Sequence, residues 1–172
     1  MLSEASLIFN IMKEGTSVND LKFSVNKHPA PEILYKIAAH QGINKERSLR
    51  GLTNTINRSK ECSDYFGVIV ENERDDVVGY AGFIQNKNNP QKWLYTDLWV
   101  KEDCRRQGIA VRLVKAGLKH LFDIGAKTLY CTVNPDNHPS LLLQKTLGFM
   151  NIETEPFNEL FVEGLMMFQL EV

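Results

Sequence analysis

Arg105-Arg106-Gln107-Gly108-Ile109-Ala110 follows the apolar Leu98-Trp99-Val100 and the polar Lys101-Glu102-Asp103-Cys104, and it leads into a long amphipathic run. That order reads as a strand, a basic turn and the start of a helix. The first N–H groups of a helix lack intrahelical partners, and the macrodipole makes that end positive. Small residues let those amides come close to an anion, so the backbone from Arg106 through Gln107, Gly108, Ile109 and Ala110 to Val111 suits a diphosphate. Arg105 and Arg106 add two permanent charges. Taken alone, such a turn also begins many helices that bind nothing. It is not a Walker A loop, since no Gly-Lys-Ser/Thr follows. Nor is it a dinucleotide fingerprint, since one glycine stands where three are needed.

A second block, Asn137-His138-Pro139-Ser140-Leu141-Leu142-Leu143-Gln144-Lys145-Thr146-Leu147-Gly148-Phe149, comes after the next strand. The pair of blocks resembles the GNAT superfamily of N-acetyltransferases. The matching positions are Leu98 and Val100 in the strand, Arg105, Gly108 and Ala110 in the turn, and Asn137, Ser140, Leu143, Gly148 and Phe149 later. The resemblance is carried by about Trp93 to Phe149, the cofactor core. It implies acetyl-CoA as acyl donor. Backbone groups of Leu98, Trp99 and Val100 would pair with the pantetheine arm as an added strand would. An N–H near Leu98 would polarise the thioester carbonyl, an oxyanion-hole role. Arg106 to Val111 would hold the pyrophosphate. Asn137 and Ser140 would contact the cofactor where the sheet splays between the Trp93–Val100 and Thr128–Val133 strands.

One position departs from the family. A tyrosine usually protonates the leaving thiolate, and Gln144 stands in its place. An amide is not a useful acid, although it can donate a hydrogen bond to sulfur. Tyr130, Tyr80 and Tyr95 are the alternative acids. The acceptor amine must also lose a proton, because an ammonium is not nucleophilic. Asp97, on the strand approaching the thioester, is the candidate base, against a structural reading of the same carboxylate. Strict alternation puts Thr96 on the face of Leu98 and Val100 and Asp97 on the other, unless a bulge changes the parity. Glu71, Glu73, Glu153 and Glu155 read as solvated carboxylates, and His138 as an exposed first-turn residue. Cys131 reads as core and Cys104 as incidental to the turn. Arg112, Lys115 and Lys119 read as the wet side of a helix.

The elements that must position these groups follow from periodicity. Leu7–Ile11 reads as a first strand. Pro31 starts a helix that Gly42 ends, and a second runs from about Lys45 to Ser59. Tyr65–Glu71 and Val77–Gln85 form a hairpin across Glu73-Arg74-Asp75-Asp76, Asn86–Lys92 is a loop, and Trp93–Val100 is a strand. Ala110, Leu113, Val114, Gly117, Leu118 and Leu121 recur at helical spacing, with Gly125 as a left-handed stop. Leu129, Cys131 and Val133 alternate with polar or aromatic residues as a half-buried strand. Asn137 caps a short helix closed by Gly148, and Phe149–Glu155 and Leu165–Val172 are strands. This predicts an α+β, GNAT-like central sheet of about seven mostly antiparallel strands, partly splayed and flanked by about four helices.

Length and composition bound the rest. The 172 residues suit one domain, 1–172, with no Pro/Gly/Ser-rich linker. With 43% hydrophobic and 24% charged residues the chain is globular, and a net charge of -1 argues against nucleic acid as a partner. Three cysteines without CxxC or histidine spacing argue against a disulfide framework and against a metal site. The start lacks a signal-peptide pattern, and no run reaches the roughly 20 apolar residues of a membrane span. A cytoplasmic N-acetyltransferase is expected, acting on a primary amine of a small molecule or peptide in a ternary complex. The resemblance also allows a homodimer. The alternatives are a non-catalytic acyl-CoA-binding or regulatory module, and a structural domain whose Arg-rich turn binds nothing.

Overall fold

The computed structural model describes residues 21–27, 64–153 and 164–172. Its backbone is a seven-stranded mixed sheet in the order β1-β2-β3-β4-β5-β7-β6, an α+β architecture. The strands are β1 (Lys22–Asn26), β2 (Tyr65–Glu71), β3 (Val77–Asn86), β4 (Asn89–Val100), β5 (Thr128–Val133), β6 (Met150–Ile152) and β7 (Met166–Glu171). Two α-helices, α1 (Ile109–Asp123) and α2 (His138–Leu147), lie among the described residues. The two further expected helices, about 31–42 and 45–59, and the expected strand at 7–11 lie outside them.

Every neighbouring pair is antiparallel except β4 and β5. Parallel neighbours need a crossover, and α1 supplies it. α1 covers one face through Ile109, Leu113, Val114, Gly117 and Leu121, the buried stripe of the helix. They meet Phe66, Val68, Val70, Phe83, Trp93, Tyr95, Leu129, Cys131 and Val133 in a single core. Gly117 is buried because the Phe83 ring lies where its β-carbon would be, 2.0 Å from Cζ. At the C-terminus of α1, Gly125 takes φ 79° as the periodicity predicts. The N–H of Ala126 then donates to Leu121 O at 3.0 Å, which satisfies an end carbonyl.

The strand boundaries correct the sequence reading in three places. β1 lies at Lys22–Asn26, where Lys22 and Val25 are exposed, the other three residues are half-buried, and little apolar signal is left. The loop expected over Asn86–Lys92 is only a turn at Lys87 and Asn88. Asn86 Oδ1 accepts from the N–H of Asn88 (2.8 Å) and Asn89 (3.0 Å), and the chain then re-enters the sheet with exposed polar side chains. β6 is three residues long, shorter than the expected strand to Glu155, and Glu155 itself lies outside the described residues.

Alternation along β4 also fails at one point. Thr96 pairs with Gly82 and Trp99 with Tyr80, so Asp97 and Leu98 together oppose Ala81. That extra residue is a bulge, and Asp97 takes its left-handed conformation, φ 55°. Trp93 and Tyr95 before the bulge and Leu98 and Val100 after it therefore join the same core. Thr96 does not share the face of Leu98 and Val100, contrary to strict alternation.

Candidate active site

β4 and β5 pair over only three positions, Lys92 with Thr128, Trp93 with Leu129 and Leu94 with Tyr130. Beyond Leu94 and Tyr130 the ladder stops. The segment containing Leu98, Trp99 and Val100 keeps its pairing to β3 and borders a wedge on the other side. At the mouth of this wedge lies the basic turn. Glu102–Cys104 forms a 3-10 turn after Lys101, and Arg106 (φ 61°) and Gly108 (φ 75°) both take left-handed conformations before α1 begins. Nothing lies within 4 Å of a β-carbon built on Gly108, so the helix start is open. Arg105 Nε donates to Val100 O at 3.0 Å and ties the turn to the strand end. Lys101 Nζ pairs with Asp103 Oδ2 at 2.9 Å, which engages one of the two carboxylates of the turn.

These features fit a diphosphate-bearing ligand: an open helix start, two exposed arginines and a neighbouring acid already paired. Gln107 is exposed, and Ala110 and Val111 are half-buried. Ile109 differs, because its side chain is 2% exposed and belongs to the core. It can offer the turn only its backbone. Arg112 lies 4.5 Å over the Phe23 ring, so it covers β1 as well as facing water.

α2 closes the other side of the wedge. Asn137 Oδ1 accepts from the N–H of Ser140 at 3.2 Å, the cap expected from the sequence, and Gly148 closes the helix at φ 83°. The exposed first turn carries His138. Gln144 is 1% exposed and accepts the Tyr95 hydroxyl proton at Oε1 over 2.6 Å. Its Nε2 donates to Ser140 Oγ at 3.4 Å. Burial holds the Tyr95 hydroxyl far above the usual phenol range, with Cys131 beside it adding to the effect. Cys131 is buried and its thiol is pushed up to about 12, consistent with core packing. Burial also raises the Cys104 thiol.

On the opposite face, Asp97 shares a buried cluster with Tyr65 of β2 and Tyr80 of β3. The two phenol oxygens hydrogen-bond to each other. They sit over Gly82, where a β-carbon would come within 2.8 Å of Tyr65 Oη. Burial keeps both phenols protonated well above their ordinary range; at Tyr80 the neighbouring Tyr65 hydroxyl adds to the effect, and the Asp97 charge adds last at both. Asp97 Oδ2 is buried with no hydrogen-bond partner among the described residues. Burial raises its carboxyl from 3.8 to about 6, and Thr96 draws it partly back. Tyr65 was invisible as a site residue because an aromatic in an apolar strand reads as core; only the fold shows its hydroxyl near Asp97. Of the alternative acids, Tyr95 meets Gln144 and Tyr80 meets Asp97, while Tyr130 packs with Leu94 and Met167.

A central sheet opened between its two parallel strands, with an anion-ready helix start at the mouth, defines the class of protein. The family model described as acetyltransferase (GNAT) family matches residues 34–149, and the chain belongs to that family. A curated N-alpha-acetyltransferase of Saccharolobus solfataricus is 32% identical over 99 residues, 52% of this chain. The match spans 58% of that relative's length. Among solved structures, the PaiA N-acetyltransferase of Thermoplasma acidophilum, in complex with coenzyme A, superposes with TM-score 0.67 at 14% identity. It covers 88% of this chain and 99% of that one. The ribosomal-protein-S18-alanine N-acetyltransferase of Escherichia coli gives TM-score 0.61 at 15% identity, covering 87% and 94%. At these identities the superpositions speak for the fold.

Proposed function

We propose that the chain transfers an acetyl group from acetyl-CoA directly to a primary amine in a ternary complex. The observation that supports this best is Asp97. A buried carboxylate oxygen without a partner sits at a bulge beside the wedge, with its carboxyl poised near 6. Such a group is ionised at neutral pH and ready to take a proton from an ammonium acceptor.

When bound, acetyl-CoA supplies an activated thioester. Backbone amides from Arg106 to Val111 would hold its diphosphate, helped by Arg105 and Arg106. Leu98, Trp99 and Val100 would offer main-chain groups along the wedge, and Asn137 and Ser140 would border it from α2. The Leu98 N–H, next to the bulge, acts as donor to the acyl carbonyl, and Asp97 deprotonates the amine. Gln144 contributes an amide hydrogen bond in place of an acid. The relative that acetylates α-amino groups makes a peptide N-terminus the first acceptor to try.

The test is release of coenzyme A with acetyl-CoA and a panel of peptide N-termini, polyamines, amino acids and aminoglycosides. Turnover with at least one amine is expected. Tight binding of acetyl-CoA without turnover on any of them would leave a binding module instead.

A further inference from the structure

Gly82 of β3 pairs directly with Thr96 of β4, the residue before the bulge. A β-carbon on Gly82 would lie 2.8 Å from Tyr65 Oη and 3.4 Å from Tyr80 Oη. Both phenol oxygens therefore sit over Gly82, on the sheet face where the Asp97 charge is felt. One strand spacing, about 4.8 Å, separates that position from the Thr96–Asp97 step. Tyr65 and Tyr80 are 1% and 0% exposed, so no substrate reaches them. Whatever they do for a reaction passes through a neighbour.

Two phenols carry two hydroxyl hydrogens, and their mutual bond uses one. Among the described residues no acceptor is bonded to the second, and no donor is bonded to Asp97 Oδ2. A buried donor and a buried acceptor are each costly to leave unmatched, and these two lie on one face of neighbouring strands. We propose that Tyr65 and Tyr80 are positioning residues for Asp97: their bond to each other fixes the phenols over Gly82, and the unspent hydroxyl hydrogen is directed at the carboxylate and holds its orientation at the bulge. This rests on the acetyl-transfer reading above, in which Asp97 takes the amine proton. Both phenols keep their own protons throughout, as burial favours. Tyr65 of β2, Tyr80 of β3 and Thr96 of β4 are the described groups facing the carboxyl, and no charged side chain is among them. A hydroxyl that donates to a carboxylate favours its ionised form. Removing the pair must then raise the pH at which Asp97 takes up a proton.

The variant Tyr65→Phe/Tyr80→Phe removes both hydroxyls together, which keeps both rings and leaves neither oxygen without its partner. The readout is the carbon-13 carboxyl signal of Asp97 in the full chain, assigned by its loss in Asp97→Asn. The wild type should titrate near 6, and the double variant about one pH unit higher. The acidic limb of kcat/KM should move by the same amount, and its plateau should fall about 10-fold as the carboxylate loses its fixed orientation. Calorimetric affinity for acetyl-CoA should stay within about twofold. An unmoved or lower Asp97 midpoint in the double variant would overturn the proposal. If that variant does not fold, the wild type decides alone. The hydroxyl proton signal of Tyr65 or Tyr80 should then move downfield as Asp97 ionises, and two signals that ignore that midpoint overturn the proposal. Turnover with an unmoved midpoint refutes this inference and spares the acetyl-transfer reading. A raised midpoint in a protein that binds acetyl-CoA without turnover upholds the contact between phenol and carboxylate and removes that reading.

Discussion

Replacing Asp97 by asparagine should make the protein more stable and far less active. Asparagine keeps the size of the side chain and tolerates the left-handed φ of 55° at the bulge. The native carboxyl is raised from 3.8 to about 6, which at about 1.36 kcal/mol per pH unit corresponds to about 3 kcal/mol. The sign follows from linkage. The folded state holds this proton more tightly than the unfolded chain, so the stability the group lends is complete below pH ~4. It is lost as pH rises through about 6. Near pH 7.5 the wild type carries an unpaired buried charge and Asp97→Asn does not. Urea denaturation should show the variant more stable by up to about 3 kcal/mol at pH 7.5, with the gap closing toward pH 4. Coenzyme A release should meanwhile fall by about 10²–10⁴ in kcat/KM, and the acidic limb near pH 6 should vanish. Tyr65, Tyr80 and Thr96 are the described groups facing this carboxyl, and none of them ionises in that window. A stability gap that does not change with pH, or a variant less stable than wild type at pH 7.5, would refute the argument.

Gly108→Glu should weaken acetyl-CoA binding by about 100-fold in calorimetry, since a carboxylate would project into the open helix start against like charge; unchanged affinity would remove the turn from the site. In Gly117→Ala, a helix-propensity gain of about 1 kcal/mol is outweighed by overpacking against Phe83, itself stacked on Phe66 at 4.7 Å. A net loss of about 2 kcal/mol, roughly 4–8 °C in Tm, is expected by scanning calorimetry. Asn137→Ala removes the cap bond to the Ser140 N–H and should cost about 1 kcal/mol in urea denaturation.

Much of this architecture was legible in the sequence because the decisive signals are local. The helical stripe that ends at Leu121 and the glycines at 125 and 148 state backbone requirements that the structure meets, whereas the left-handed φ of 75° at Gly108 before the helix was not read. β1 was not legible because a half-buried strand at the sheet edge carries only Phe23 and Val25 as apolar residues. The start of β4 was hidden by Asn89-Pro90-Gln91-Lys92, whose polarity reflects exposure rather than a loop. Asp97 was legible as a candidate base, but its face was not. Parity arguments assume an unbroken strand, and the bulge depends on pairing with β3. The same limit hid the partners of Gln144 and the Tyr65–Tyr80 pair. Position 144 can be read in a motif, but a bond to Tyr95 is a property of the folded sheet. Among the described residues no helix is long and apolar enough to cross a membrane.

The narrow seam between β4 and β5 has a mechanical consequence. Three residue pairs join one half of the sheet, β1 to β4, to the other, β5 with β7 and β6. On the face covered by α1 a shared core still spans the seam. A guest that bridges both lips of the cleft would add a second tie between the halves, so its binding should raise the unfolding temperature of the whole fold.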